Sequence, residues 1–422
     1  MLLIIFLFML VLLAILNYYI GKTLLYPPVV FSLWWALLLF SLVIAGDIFY
    51  EISAETLLIY FMGAFAFSLG GIIPFLVARK NIKSVYTIQK AFEYKSFHKK
   101  VINAGLLISL IVLPFFWFKL REIATLSHID NFWVAIRYET VYGSANLGFF
   151  RYFLGVLNLF TIFSYLESLD KISKTDKIKA YFVIVIAIIY NLLLMQRIGI
   201  IFLVFAFIGV KFIYEGEINF QFLFKSIAVL VILFGIPAVL LGKGGSIHNS
   251  FIENIKGVSK MVALYTLGGA VGFNNVVMNP SRYIGTGFTT FRFFYAVLDR
   301  IGLAHYNLPK MVPIYTDTPL PTNVYTIYYT YFLDYGYLGV FILMFIIGIF
   351  SSLVFKRAYI KKEKIYIFLY GMVFAGLIIS CANEFFFTTV SYWIQAIIFL
   401  YIIYRFPKLL LQPVKRCVEG RS

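Results

Sequence analysis

Apolar runs of membrane-spanning length limit the possible folds of this chain more than any motif does. A helix of about 20 apolar residues crosses the hydrocarbon core of a bilayer. Hydrophobic residues make up 62% of the 422 residues and charged residues 13%, whereas soluble domains have about 25% charged residues. Strands of a membrane β-barrel would instead give short segments of alternating polarity. The sequence therefore predicts an all-α polytopic membrane protein, with residues 1–422 forming a single integral membrane domain.

Eleven runs are long enough to be predicted as spans. They lie near Leu2–Ile20, Leu25–Ala45, Leu57–Val77, Val101–Leu120, Phe149–Leu169, Ile178–Leu194, Ile198–Ile213, Phe222–Leu241, Tyr337–Phe355, Ile365–Ser380 and Thr388–Tyr404. The first run has no basic segment before it and no small-residue cleavage site after it, so we interpret it as a retained span. Residues 323–333 are too short to cross and are predicted to form a re-entrant or interfacial segment.

Lysine and arginine residues give the predicted orientation. They collect in the connections at residues 79–100, 171–179 and 356–364 and in the tail at 405–416. With eleven spans these four segments share one side, which the positive-inside rule identifies as the cytoplasm. This bias accounts for most of the net charge of +17, so no nucleic-acid partner is predicted. The basic segments are expected to contact anionic membrane lipids.

Residues 242–321 then form a large loop outside the cytoplasmic membrane. A loop of about 80 residues is far longer than a connection between helices needs, so it is predicted to cover a site for an anionic, lipid-linked substrate. Its side of the membrane, which is normally poor in positive charge, carries several arginines. They are Arg137, Arg197, Arg282, Arg292 and Arg300.

Arg197 is the most informative of these arginines. It interrupts the apolar run LLLMQRIGII, where a charge near membrane depth is costly unless it reaches water or a partner. The planar guanidinium group suits phosphate oxygens. Arg137, Arg197, Arg282 and Arg292 are therefore predicted anion-binding residues, and Arg300, beside Asp299, is expected to be a solvated surface residue.

Three stretches resemble a known family. The run TNVYTIYYTYFLDYGYLGVFILMFIIG at residues 322–348 resembles the late signature of the Wzy-type O-antigen polymerases. LLLMQRIGIIFLVF is similar to a mid-chain span end followed by arginine in that family. RYETVYGSANLG places ten residues between Arg137 and Gly148, like the Arg-x10-Gly element of some members. A second such spacing does not follow Arg282, Arg292 or Arg300.

The resemblance implies a GT-C-like helical bundle and a metal-independent glycosyltransferase related to the O-antigen ligases. Such an enzyme works in the bacterial inner membrane, with its active site facing the periplasm. It transfers a growing chain from undecaprenyl diphosphate to a sugar hydroxyl of a new lipid-linked repeat unit. Undecaprenyl diphosphate leaves, no cofactor is expected, and a polysaccharide chain-length regulator is the implied partner.

This reaction assigns roles to the candidate residues. Without a metal ion, the arginines would stabilise the leaving diphosphate. A base must also accept the hydroxyl proton, and the outward candidates are Glu139, His248, His305, Asp317, Asp334 and Glu384. Expected substrate contacts are Asn323 and Tyr325 in the family-like run, together with Asp317 and Glu384. Plainer alternatives stay open, since Glu139 could pair with Arg137, Asp334 could be a turn residue, and the tyrosines could be interfacial.

Three alternatives to the polymerase function remain open from the sequence. An O-antigen ligase-like transferase shares the fold and the outward arginines. A flippase or transporter of lipid-linked oligosaccharide is expected to have an even number of spans in two similar halves, and the odd count argues against it. A non-catalytic scaffold would leave the costly position of Arg197 unexplained.

Overall fold

The computed structural model describes residues 1–77, 88–141, 146–170, 172–240, 250–279, 285–309, 312–319 and 321–404. The helices are α1 Leu2–Gly21, α2 Pro27–Ala45, α3 Ala54–Val77, α4 Ile88–Thr125, α5 Phe132–Val141, α6 Phe149–Ser168, α7 Lys174–Leu193, α8 Arg197–Glu215, α9 Phe220–Leu240, α10 Phe251–Val277, α11 Arg292–Arg300, α12 Tyr328–Lys361, α13 Lys364–Ile379 and α14 Val390–Tyr404. Two short strands, β1 Thr316–Asp317 and β2 Pro321–Thr322, pair in antiparallel fashion.

Each of the eleven predicted spans falls on one of these helices. Within the described residues, seven helices are long and apolar enough to cross a membrane: α1, α2, α3, α4, α6, α8 and α12. Shorter apolar stretches lie in four more, at Phe220–Gly235, Val262–Val277, Lys364–Ile379 and Val390–Tyr404. These eleven are not the eleven predicted spans, because α7, with the predicted span Ile178–Leu194, is in neither group and the stretch in α10 was not predicted as a span. The predicted all-α polytopic class is confirmed.

Helix α12 is divided by a kink at Gly336, whose φ of 60° and ψ of −147° are not helical. Glycine adopts this backbone conformation without the steric penalty of a side chain. The short helical part before the kink, residues 328–335, starts deep in the bundle, where the Tyr328 hydroxyl donates to the Tyr60 carbonyl at 3.3 Å. After the kink, Tyr337 donates to Glu55 at the outer end of α3, which is the end predicted to lie outside the cytoplasm.

The chain therefore enters the bundle, turns back to its outer end and enters again. This is the geometry of the re-entrant segment predicted at residues 323–333, although its helix lies a few residues later than the sequence suggested. The Ile327 backbone N–H donates to the Ser380 carbonyl at 2.7 Å. This bond fixes the buried start of the segment to the outer end of α13.

Helices α3 and α12 pack with their backbones in contact. A Cβ atom on Gly348 would lie 2.1 Å from the Phe67 carbonyl oxygen, and one on Gly70 would lie 2.0 Å from the Phe345 carbonyl oxygen. Small residues at such positions let membrane helices approach closely and gain van der Waals contact. This helix pair holds the re-entrant segment against the rest of the bundle.

The described parts of the large loop are mostly ordered structure. Helix α10 packs against the outer end of α3, where the Asn274 side-chain oxygen accepts from Ser53 N–H and from the Thr56 hydroxyl, both at 2.9 Å. The neighbouring Asn275 donates to the Thr316 hydroxyl at 2.9 Å and so ties α10 to β1. The loop is therefore built onto the outer surface of the bundle.

A buried charge cluster joins α4, α6 and α13 at the end of the bundle predicted to face the cytoplasm. Lys364 lies 2.7 Å from a Glu167 oxygen and 2.8 Å from an Asp170 oxygen. His98 Nδ1 lies 3.2 Å from the other Glu167 oxygen. Partners of this kind compensate much of the desolvation of buried charges.

We expect Gly348→Val to destabilise the protein, because the new side chain would meet the α3 backbone. Overpacking of this kind costs about 1–3 kcal/mol, and thermal unfolding in detergent would show a lower midpoint. Ile346→Val, on the exposed side of the same helix, is the matched control. An unchanged midpoint for Gly348→Val would contradict the close packing of α3 and α12.

Candidate functional site

Arg197 is the buried charge at the centre of the candidate site. Its side chain is 6% exposed, and its guanidinium carbon lies 4.8 Å from the Phe234 ring centroid and 5.5 Å from that of Tyr265. Among the described residues, its Nη1 and Nη2 atoms have no hydrogen-bond partner within 3.5 Å, and the nearby Tyr265 hydroxyl supplies only a weaker polar contact. A buried cation with unpaired donors is costly, so this position is suited to receive an anion.

The corner between α7 and α8 places Arg197 at the first position of α8. Met195 has a left-handed backbone with φ of 53°, and Gln196 N–H donates to the Asn191 carbonyl at 3.0 Å. At Gly199, a Cβ atom would lie 2.0 Å from the Asn191 side-chain oxygen. The tight corner directs the N-terminus of α8, with its partial positive charge, toward the same region as the guanidinium.

An apolar groove lies next to Arg197, whose own side chain is not among the residues that line it. Its cavity volume is about 670 Å³, and its lining includes both aromatic residues that flank the guanidinium, Phe234 and Tyr265. Along α8 the lining runs from Ile198 to Phe212, a distance of about 21 Å at helical rise. Leu33 of α2 also lines the groove and is itself exposed, so the groove opens sideways to the surrounding lipid.

A second arginine lies near the first. Arg137 on α5 is half-buried and close enough to Arg197 for their positive charges to repel each other. Such a like-charge pair is relieved when an anion binds between or beside its members. The structure thus brings together two of the four predicted anion-binding arginines.

Arg292 likewise lies close to a second arginine, Arg151. Arg151 was not among the predicted site residues. Burial and the positive charge of Arg151 both lower the pKa of Arg292, and Arg292 also donates to the Pro309 carbonyl. The sequence signal for Arg151 is its place as the third residue of α6, at the predicted outer end of a span. Arg282 lies outside the described residues, and Arg300 is exposed as expected.

Glu139 does not pair with Arg137. The two residues are two positions apart on α5, a spacing at which helical side chains do not face each other. No ion pair joins them in the part of the chain that the structure describes. Glu139 is nevertheless buried, so its carboxyl group is held inside the protein rather than in solvent.

Asp334 binds the large loop to the re-entrant segment. It is fully buried, and its two carboxylate oxygens accept from the backbone N–H groups of Thr289 at 3.4 Å and Thr290 at 2.6 Å. The Gly285 N–H donates to the Leu333 carbonyl at 3.2 Å nearby. Asp334 therefore has a structural role, because it joins two segments through backbone hydrogen bonds. A role as base stays a prediction.

Glu384, in the connection between α13 and α14, also binds backbone N–H groups. The oxygens of this buried carboxylate accept from the Tyr331 hydroxyl at 2.6 Å and from three backbone N–H groups. Those groups are Phe386 at 2.6 Å, Phe387 at 2.8 Å and Thr388 at 2.6 Å. Glu384 therefore joins the α13–α14 connection to the re-entrant helix.

The remaining predicted residues lie away from the groove lining. His305 is exposed and its Nδ1 lies 3.2 Å from Asp299, whereas Asp317 is exposed on β1. Tyr325 is buried, donates to the Ile314 carbonyl at 2.7 Å and stacks on a neighbouring tyrosine ring. Asn323 is half-buried. Their substrate and base roles stay predictions, as does His248, which lies outside the described residues.

Glu384→Gln is expected to destabilise the protein. The amide places an NH₂ group against backbone N–H donors, and an unsatisfied buried donor costs about 1–3 kcal/mol. Thermal unfolding of the purified protein would show a lower midpoint. Asp317→Asn, at an exposed carboxylate, is the control and should change stability by less than about 0.5 kcal/mol. Equal midpoints for both variants would contradict the structural role of Glu384.

Comparison with known proteins finds a relative along nearly the whole chain. The chain is 24% identical over 407 residues to an Escherichia coli (strain K12) protein described as a "Putative O-antigen polymerase". The alignment covers 94% of this chain and 96% of the relative. Neither a family model nor a solved structure matches the chain. The similarity to the Escherichia coli protein confirms the resemblance to the O-antigen polymerase family that the sequence predicted.

Proposed function

We propose that this protein joins oligosaccharide repeat units carried on undecaprenyl diphosphate into O-antigen or a similar surface polysaccharide. One observation carries the proposal: a buried arginine with unpaired donors lies at the end of a long apolar groove. A polyprenyl diphosphate has the matching chemistry, with a hydrocarbon tail for the groove and a diphosphate for the guanidinium. The relative's name supports a polymerase in general terms.

The groove would orient the isoprenoid tail but would add little to the binding affinity. Its walls are almost entirely apolar, which suits an isoprenoid chain. Within a bilayer, however, the tail gains little by leaving other hydrocarbon, because lipid is as apolar as the groove. Binding strength and specificity would therefore come from the diphosphate at Arg197, and the groove would fix the depth and direction of the tail.

The two neighbouring arginines would stabilise the leaving group. As the bond between the anomeric carbon and the diphosphate oxygen breaks, negative charge grows on that oxygen. Arg197 would donate its free N–H groups to it, and Arg137 would add a second positive charge. Preorganised donors in a dry site are effective because they need no rearrangement during the reaction.

The acceptor hydroxyl would attack the anomeric carbon and release its proton to a base. Asp334 and Glu384 already accept backbone N–H groups, and His305 is exposed beside Asp299. Glu139 is buried on the helix that carries Arg137. We therefore favour Glu139 as the proton acceptor.

The proposed site faces the periplasm in a bacterial inner membrane. The positive-inside distribution supports this orientation, because Arg197 lies at the end of its helix opposite to the lysine-rich connections. The substrate reaches that side as a lipid-linked unit already moved across the membrane. A polysaccharide chain-length regulator is the proposed protein partner.

The test is polymerisation by purified protein in vesicles with undecaprenyl-diphosphate-linked repeat units. Arg197→Ala is expected to lower the rate by about 10²–10³-fold, as when one preorganised donor is removed elsewhere. Arg197→Lys should recover only part of it, since lysine keeps the charge but loses the planar fork. Arg300→Ala, at an exposed arginine, should give the wild-type ladder of products.

Unfolding measurements separate a functional effect from misfolding. Arg197→Ala should remain folded with a midpoint near that of the wild type, because removing a buried cation with unpaired Nη donors offsets the lost ring contacts and the new cavity. A wild-type ladder from Arg197→Ala would overturn the proposal. Movement of the lipid-linked unit across the vesicle membrane with no ladder from the wild-type protein would instead indicate a transporter.

A further inference from the structure

Helix α11 presents an apolar strip that the described protein does not cover. Phe294 and Val297 on the helix and Ile301 at its C-cap follow one another at helical spacing along one face and are 50%, 42% and 61% exposed. Arg292 and Arg300 lie at the two ends of the helix, on the opposite face with Ala296. Residues spaced by three and four positions share a face of a helix, so this is a continuous apolar surface.

The start of α11 lies at the outer rim of the helical bundle. Phe291, the residue before the helix, has its ring centroid 5.7 Å from that of Phe387 and 6.3 Å from that of Tyr335. Tyr335 directly precedes the kink of α12, and Leu338 just beyond the kink is exposed on a membrane-spanning helix. The apolar strip therefore begins where the lipid-facing surface of the bundle ends.

We propose that α11 lies in the outer surface of the lipid bilayer, with its apolar strip among the acyl chains. Amphipathic helices with apolar residues on one face and basic residues on the polar face bind at this depth. Arg292 and Arg300 would reach the lipid phosphates, since long basic side chains extend toward the headgroups. The helix thus serves as a membrane anchor for the large loop.

A protein partner fits this surface less well than lipid does. A stable protein interface buries about 800 Å² on each side, and two side chains of a nine-residue helix with one more at its C-cap offer far less. The strip is instead continuous with surface that already faces lipid. A second copy of the chain or another protein is an alternative outcome of the test.

The anchor would set the height of the loop above the membrane. Arg292 begins α11, donates to the Pro309 carbonyl and lies near Arg151. With the strip embedded, this arginine pair would be held at the level of phosphate groups. This consequence does not depend on the proposed polymerase function.

Spin labels on single cysteines would test the anchor in full-length protein reconstituted in phosphatidylethanolamine and phosphatidylglycerol vesicles. Cys417→Ser removes the tail thiol, and the buried Cys381 can remain. Phe294→Cys places a label on the apolar strip, and Ala296→Cys places one on the opposite, exposed side. Val297→Cys is a second strip position in case the first variant folds poorly.

Collisions of the labels with oxygen and with a water-soluble nickel complex report their surroundings. We expect the ratio of oxygen to nickel accessibility to be several-fold higher at positions 294 and 297 than at 296. Equal nickel accessibility at the three positions would place α11 in water and overturn the proposal. Low accessibility to both reagents at 294 and 297 would show burial against protein, which would also overturn it.

Discussion

A guanidinium group buried beside two aromatic rings, with unpaired Nη donors, is the constraint around which the candidate site is arranged. Contact with the rings of Phe234 and Tyr265 offsets part of the desolvation of Arg197, since cation–π pairs out of water contribute about 2 kcal/mol. The ring contacts do not provide hydrogen-bond acceptors for the Nη1 and Nη2 N–H groups of Arg197. The protein therefore maintains an energetically costly arrangement, and an anion that pairs with those groups would remove the cost. Functional sites commonly hold such imperfectly satisfied groups.

The rest of the molecule holds the surroundings of that group in place. Close packing of α3 on α12 fixes the re-entrant segment, and this segment carries the buried Asp334. Asp334 and Glu384 then bind backbone N–H groups of the large loop and of the α13–α14 connection. Helix α10 extends from that loop to place Tyr265 beside Arg197. The two carboxylates therefore position the backbone of the large loop and of the α13–α14 connection.

The sequence predicted those features that depend on hydrophobic length and on the cost of burying charge. Each apolar run became a helix, and Arg197 was singled out because its position is costly. The partners of Arg197 were not predicted, because Phe234 and Tyr265 come from distant helices and resemble many other apolar residues. Arg151 was missed for the same reason, since only tertiary contact relates it to Arg292. The roles of Asp334 and Glu384 were also hidden, because a carboxylate that accepts backbone N–H groups looks in sequence like a catalytic one.

The most direct test of the account is to map where a polyprenyl diphosphate binds. A probe with a photoreactive group on its first isoprene unit would be crosslinked to the protein in lipid nanodiscs and the adducts located by mass spectrometry. The account predicts adducts on Phe234, Tyr265 or Ile198, lost when unlabelled polyprenyl diphosphate competes and retained when phospholipid does. Adducts confined to exposed surfaces such as that of α1, or unaffected by the diphosphate competitor, would contradict it.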